Sequence, residues 1–123
     1  MLRRPDVFHA AVAGAPATDP RLYDTHWQER FLGHPDEHPE VYERNSLLRD
    51  AAALRRPLML IHGLLDDNVR PAHTMRLSAA LLAAGRPHTV VPLPADTHMA
   101  RPEITANLLA IQVRFLHEAL ATP

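Results

Sequence analysis

Three mostly apolar runs punctuate this 123-residue chain and predict strands. They lie at residues 9–16 ("HAAVAGAP"), 57–62 ("PLMLIH") and 88–94 ("HTVVPLP"), and glycine or proline bounds each of them. Short apolar runs with such boundaries are typical of strands that are covered on both faces, as in a parallel sheet. The hydrophobic pattern therefore predicts three buried strands.

Helical spacing of apolar residues appears after the second and third runs. In residues 71–85, Met75, Ala79 and Leu82 share one helical face, with Pro71 suited to the first turn and Gly85 to the position after the last. A final amphipathic helix is predicted by apolar residues at steps of four, three and four: Ile104, Leu108, Ile111 and Phe115.

Residues 18–50 form a long proline-punctuated excursion with helix-like pieces near 23–31 and 39–48. The order is thus strand, excursion, strand, helix, strand, helix, which implies an α/β fold with a mostly parallel sheet and flanking helices. Three strands fall short of the average sheet of about five or six. We therefore expect an incomplete domain, truncated before "MLRRPDVF", whose exposed strand edge makes the isolated chain oligomerise.

Composition narrows the choice of partners. The chain is 46% apolar and 22% charged, as in folded globular proteins, and its net charge of -1 gives no reason to expect nucleic acid or an anionic membrane. No apolar run reaches the roughly 20 residues of a membrane span, and no signal peptide is recognisable, so we expect no membrane association and, as given, a cytoplasmic location. Cysteine is absent, which removes thiolate chemistry.

Candidate chemistry lies after two of the predicted strands. Asp66 follows the second strand and His98 follows the third, 32 residues later, which is one strand-helix-strand step. The carboxyl ends of parallel strands meet at one edge of a sheet, so the two side chains should be neighbours. A carboxylate there can fix the tautomer of an imidazole and leave its other nitrogen free to take a proton.

Simpler interpretations compete with this one. Adjacent acids after a strand usually close a turn or cap a helix, and we expect that role for Asp67. A single histidine among nine is most often an ordinary loop residue. Metal binding is disfavoured, because the "HPDEH" piece at 34–38 contains proline and has no second compact pair to complete a four-ligand site.

The segments "IHGLLDDNVRPAHTMRLSAALLAAGRPH" and "PLPADTHM" resemble the C-terminal catalytic portion of the prolyl oligopeptidase family of serine peptidases, especially its dipeptidyl-peptidase-IV-like and acylaminoacyl-peptidase-like branches. Upstream, "RRPDVFHAAVAGAPATD" and "YDTHWQERFLGHP" resemble the same enzymes in the same order. The resemblance implies the C-terminal portion of an α/β-hydrolase fold, short peptide substrates and no cofactor. It also implies that Asp66 is the catalytic acid and His98 the general base.

Four further residues match substrate-binding positions of that family. Asn68 and Val69 match residues that contact the substrate backbone and the pocket wall, and Tyr23 and Trp27 match aromatic residues that wall the pocket. Without the resemblance, Tyr23 and Trp27 would be a core aromatic pair, since residues four apart share a helical face. Trp27 stands where tyrosine is common in the family, which leaves the pocket size open.

The nucleophile of such an enzyme is missing from the sequence. An α/β-hydrolase needs a G-x-S-x-G elbow before the acid, and neither Ser46 nor Ser78 has the flanking glycines. We therefore expect residues 1–123 to be a partial peptidase catalytic domain that lacks the nucleophile-elbow half. The alternative is a non-catalytic α/β interaction module that pairs with a partner chain supplying the remaining strands.

Overall fold

A computed structural model describes residues 1–121 of the chain. Its strands are β1 (Ala11–Gly14), β2 (Leu58–Gly63) and β3 (Thr89–Leu93). Its α-helices are α1 (Thr25–Leu32), α2 (Pro39–Asn45), α3 (Ala72–Ala83) and α4 (Pro102–Ala121). Two 3-10 turns, Pro20–Leu22 and Leu48–Ala53, complete the excursion between β1 and β2. The element order therefore matches the one that the hydrophobic pattern predicts.

The three strands form one parallel sheet in the order β1-β2-β3. All six residues of β2, the central strand, are buried, as its continuous apolar run predicts. β1 is shorter than the predicted 9–16 and only partly buried. It stops at Gly14 because Ala15 takes a positive φ of 42° and Pro16 has no N–H to donate to a ladder.

Helices cover both faces of β2, since side chains alternate along a strand. Leu58 and Leu60 pack on one face with Leu77 and Leu81 of α3. On the other face α4 contributes four residues to the cluster around Met59 and Ile61: Ile104, Leu108, Ile111 and Phe115. The predicted amphipathic face of α4 is thus the face that contacts the sheet.

For α3 the predicted extent is right, but the apolar face that Met75, Ala79 and Leu82 share is not the face that packs on the sheet. Met75 and Leu82 are 43% and 69% exposed, and the buried positions are His73, Thr74, Leu77 and Leu81. The buried face carries two polar residues instead: Nδ1 of His73 accepts from the backbone N–H of Thr18, at 3.1 Å, and the hydroxyl of Thr74 pairs with Nδ1 of His62, at 2.6 Å. Nε2 of His73 has no hydrogen-bonding partner within residues 1–121. Gly85 ends the helix with φ of 65°, as predicted.

No helix within residues 1–121 combines the length and the apolar character that crossing a bilayer requires.

Candidate active site

Two loops meet at the carboxyl edge of the sheet. The loop after β2 hydrogen-bonds the segment after β3 through Leu64 N to Leu93 O, at 3.0 Å, and Leu65 N to Asp96 O, at 3.0 Å. Gly63 allows this approach, because a Cβ at that position would collide with the carbonyl groups of Asp96 and Thr97. The close packing of the two loops depends on this glycine.

Asp66 lies in the first of these loops and is almost completely buried. Its Oδ1 accepts hydrogen bonds from the backbone N–H groups of Asn68, at 3.0 Å, and Val69, at 2.9 Å. Its Oδ2 accepts one from Nδ1 of His98, at 2.9 Å. One carboxylate therefore closes its own turn with one oxygen and holds the histidine with the other.

The electrostatic environment keeps Asp66 ionised. Burial alone would raise the pKa of this carboxyl, but the hydrogen bonds from His98, Val69 and Asn68 outweigh it and hold the pKa below its usual value. At neutral pH Asp66 is a buried anion with two oxygens that are both hydrogen-bonded.

His98 lies in the loop between β3 and α4, and 41% of its side chain is exposed. Because Asp66 is a carboxylate, Nδ1 carries the proton of their hydrogen bond, and in the neutral form of the ring Nε2 has the lone pair. Within residues 1–121 this Nε2 has no hydrogen-bonding partner. The ring is therefore oriented at one nitrogen and available for proton transfer at the other.

His62, which the sequence analysis did not single out, lies beneath this pair with 1% exposure. Its Nε2 lies 2.6 Å from the carbonyl oxygen of Val69 and 3.4 Å from Oδ2 of Asp66. A carbonyl only accepts, so Nε2 carries the proton and Nδ1 accepts from the hydroxyl of Thr74, at 2.6 Å. His62 thus ties the Asp66 turn to α3. Its position in "IHG", at the end of a buried strand, was the signal available in the sequence.

Asp96 is a second residue that the sequence analysis missed. It is buried, and its Oδ1 accepts from both the backbone N, at 2.9 Å, and Nε, at 3.0 Å, of Arg101. The Arg101 backbone N–H is the main reason that the pKa of Asp96 lies below its usual value. This contact spans the loop that carries His98 and fixes it to the start of α4.

Asp67 does not have the role that the sequence suggests. Its side chain is exposed and makes no hydrogen bond within residues 1–121, and Pro71, at the N-cap of α3, receives no side-chain cap. Asp66 closes the turn itself, so the expectation that Asp67 braces the turn or caps the helix is wrong.

Of the four predicted substrate-binding residues, Tyr23 and Asn68 line one cleft, and Val69 and Trp27 are not among its lining residues. The hydroxyl of Tyr23 donates to Oδ1 of Asn68, at 3.3 Å, and both residues line a cleft of about 560 Å³. Val69, the next residue in the chain, is buried. Trp27 is 55% exposed and packs on Phe31, with ring centroids 5.1 Å apart.

The expected common helical face of Tyr23 and Trp27 is wrong, and so is the alternative of a core aromatic pair. Tyr23 lies before α1, with Asp24 as the N-cap between them. The chain is extended at Tyr23, which turns its ring toward His73 of α3.

Both serines of the chain are engaged away from His98. Ser46 is buried, and its Oγ accepts from the N–H of Leu48, at 3.4 Å. Ser78 pairs with Nε2 of His88, at 2.7 Å. Neither hydroxyl forms a hydrogen bond with His98.

Comparison with known proteins yields a family match over almost the whole chain. The family model described as the prolyl oligopeptidase family matches residues 1–122. Dipeptidyl peptidase 8 of human and mouse is 36% identical over an alignment 126 residues long, which covers 99% of this chain and 14% of that protein. Inactive dipeptidyl peptidase 10 of rat is 27% identical over 92% of this chain and 14% of its own length.

Among solved structures, the crystal structure of Porphyromonas gingivalis dipeptidyl peptidase 4 matches 91% of this chain with a TM-score of 0.88 and 31% identity. The match covers 16% of that protein. The present fold is therefore the C-terminal portion of an α/β-hydrolase fold, and the chain spans about one seventh of the length of the relatives that it matches.

Proposed function

This chain belongs to the prolyl oligopeptidase family, and we propose that it carries the acid and the base of a serine peptidase active site. Asp66 is the acid and His98 the base in this proposal. The observation that supports it most is the 2.9 Å hydrogen bond between Nδ1 of His98 and the buried, ionised Asp66.

The proposed chemistry follows from the two nitrogens of His98. With its Nδ1–H held by Asp66, the ring presents Nε2 as a base that takes the proton of an attacking serine hydroxyl. The imidazolium that forms is stabilised by the negative charge of Asp66, and it then gives its proton to the departing amine. Asp66 stays ionised throughout.

The nucleophile belongs to a different segment in this proposal. No serine of this chain stands in a G-x-S-x-G elbow, and the hydroxyls of Ser46 and Ser78 are engaged elsewhere. We infer that residues 1–123 are one part of a catalytic domain, and that the serine and the oxyanion-hole donors come from the part that holds the elbow.

The substrate in this proposal is a short peptide. The names of the relatives, dipeptidyl peptidases, support this class. Asn68 binds the substrate backbone, while Tyr23, Trp27 and Val69 wall the pocket for its side chain. The cleft that Tyr23 and Asn68 line supports the assignment of these two residues, because it opens at the same edge of the sheet as Asp66.

A hybrid enzyme tests the proposal. The chain is fused to the elbow-containing half of the Porphyromonas gingivalis dipeptidyl peptidase 4 catalytic domain, and hydrolysis of a dipeptide p-nitroanilide is measured. Asp66→Asn should lower kcat by about 10⁴-fold, since the amide favours the wrong histidine tautomer. His98→Gln should lower it at least as much, whereas Asp67→Asn, the matched control, should leave kcat within about twofold of the parent. An active hybrid in which Asp66→Asn keeps most of its kcat contradicts the proposal.

A second candidate function is non-catalytic. Inactive dipeptidyl peptidase 10 of rat matches 92% of this chain at 27% identity, so a protein named as inactive contains a segment similar to this chain. In this case the chain pairs through β1, whose one neighbouring strand within residues 1–121 is β2. A folded hybrid with no turnover, together with tight association of the isolated chain with a strand-supplying partner, would favour it.

A further inference from the structure

A cavity of about 530 Å³ lies at the edge of the sheet opposite to Asp66 and His98. It is bordered by Pro57 and Leu58 at the start of β2 and by Thr89 at the start of β3. Asp66 and His98 follow the other ends of these strands, so the cavity is separate from the proposed active site. Its volume falls within the range of about 300–1,000 Å³ that is usual for small-molecule sites.

The polar part of this cavity is cationic. Three arginines line it, Arg55, Arg56 and Arg86, and no acidic residue is among its lining residues. Arg56 donates to the carbonyl of Pro5, at 3.0 Å, which does not neutralise its charge. Arg55 makes no side-chain hydrogen bond or ion pair within residues 1–121. The cavity therefore concentrates positive charge without a counter-charge.

Arg86 has a buried hydrogen-bond donor that is unpaired within the described part of the chain. Its Nε is enclosed and has no hydrogen-bonding partner within the described part of the chain. A buried donor without a partner costs free energy, so the side chain gains if it turns this N–H to an acceptor in the cavity. The guanidinium fork matches the two oxygens of a carboxylate.

The backbone of Arg86 is already held in place. Its N–H donates to the carbonyl of Leu81, at 2.8 Å, which closes the end of α3. Its carbonyl lies 3.0 Å from Nδ1 of His88. A carbonyl only accepts, so this Nδ1 carries the proton and the hydroxyl of Ser78 donates to Nε2, at 2.7 Å. The backbone of Arg86 is thus held by hydrogen bonds at both its N–H and its carbonyl group.

His88 and Thr89 also line the cavity, and the rest of its wall is apolar. It is formed by five side chains, of which Leu54 and Leu58 are buried: Leu54, Pro57, Leu58, Pro87 and Phe115. An inorganic anion would leave this wall uncovered, whereas an apolar group bound there would be removed from water. The ligand that fits both parts is a carboxylate with an apolar body.

We propose that this cavity binds a small organic carboxylate, whose charged group pairs with Arg86 and whose apolar body lies against Leu54 and Phe115. The site is independent of the peptidase proposal, since it shares no residue with Asp66, His98 or their partners.

A titration of the purified 123-residue chain with phenylacetate, followed by two-dimensional NMR, tests this proposal. Binding should saturate with a Kd on the order of 1 mM, as expected for a ligand of this size, and should shift the Arg86 Nε–H and residues of the cavity. Phenylacetamide, the neutral isostere, and acetate, which lacks the ring, should each bind about tenfold more weakly or worse. If phenylacetamide binds as tightly as phenylacetate, the proposed pairing of a carboxylate with Arg86 is wrong. If acetate binds as tightly as phenylacetate, the proposed contact of an apolar group with Leu54 and Phe115 is wrong.

Variants locate the site. Arg86→Gln should weaken phenylacetate binding by about tenfold, and Arg49→Gln, an exposed arginine outside the cavity, should leave it unchanged. Unchanged affinity in Arg86→Gln contradicts the proposal. If Arg86→Gln fails to fold, the comparison of the three ligands on the parent chain still decides, because it needs no substitution.

Discussion

Replacing Asp66 by asparagine perturbs three hydrogen bonds at once, and the structure allows the cost to be worked out. The two backbone N–H groups of Asn68 and Val69 can still bond to the amide oxygen. These bonds lose their charge assistance, which is worth about 1 kcal/mol each. The third bond, to His98, is worth about 2 kcal/mol as a charged interaction.

The substitution also removes the free-energy cost of burying a charged carboxylate, which opposes these losses. Burial is the largest single influence on the pKa of Asp66 and acts to raise it. The pKa nevertheless lies below its usual value, so the hydrogen bonds exceed the burial cost. The net loss of unfolding free energy at pH 7 should therefore be smaller than the sum of the three bonds, at about 1–3 kcal/mol.

The same substitution should reverse the proton arrangement on His98. The amide nitrogen of asparagine is a donor, so Nδ1 must become the acceptor and the proton must move to Nε2. Nitrogen-15 NMR of the imidazole distinguishes these two tautomers. The change follows from the bonding pattern and needs no catalytic activity to be observed.

Urea unfolding of the isolated chain, followed by circular dichroism, measures the stability change. Asp67→Asn is the matched control, since its side chain is exposed and without hydrogen bonds in the described part of the chain, and it should change the unfolding free energy by less than about 0.5 kcal/mol. Equal losses in the two variants, or a His98 ring that keeps its Nδ1 proton in Asp66→Asn, would refute this account of Asp66.

Three more outcomes follow from the same loops. Asp66 has a lowered folded pKa, so its stabilisation is present above its unfolded pKa of about 3.9 and is lost as pH falls through the folded value. Urea midpoints of the parent should therefore decline more steeply below pH 4 than those of Asp66→Asn. Gly63→Ala should destabilise the chain by about 1–3 kcal/mol, because the added Cβ meets the carbonyls of Asp96 and Thr97; a stability equal to that of the parent contradicts this. His62→Phe leaves the Val69 carbonyl and the Thr74 hydroxyl unpaired and should cost about 2–4 kcal/mol by urea unfolding, whereas a loss below about 1 kcal/mol would show that neither bond matters.

Strand and helix order was predictable because it depends on local periodicity. The apolar run of β2 and the four-three-four spacing of α4 each report one element and the face it buries. The buried face of α3 was not predictable in the same way. His73 and Thr74 lie inside and form hydrogen bonds with Thr18 and His62, which are distant in sequence, although Nε2 of His73 has no partner within the described residues. Periodicity counts these residues as polar and so assigns the wrong face.

The site shows the same limit. That Asp66 and His98 follow adjacent parallel strands was readable from the order of the elements, and their hydrogen bond agrees with that placement. The contributions of His62 and Asp96 were not readable, because each acts through a backbone group whose position depends on the folded loops. The predicted common face of Tyr23 and Trp27 was wrong for a related reason. Asp24 is the N-cap and α1 begins at Thr25, two residues after Tyr23, so Tyr23 lies outside the helix.

The two interpretations of the acid pair were posed as alternatives, a turn-closing acid or a histidine-orienting acid, and the structure makes them one. A carboxylate has two oxygens, and in Asp66 Oδ1 closes the turn while Oδ2 holds His98. Because both roles fall on one residue, the turn fixes the carboxylate in the orientation that the histidine needs. Any substitution that loosens the turn, at Val69 or His62 as much as at Asp66, should therefore also loosen His98. The mobility of the His98 ring in such variants, measured by NMR relaxation, tests that link directly.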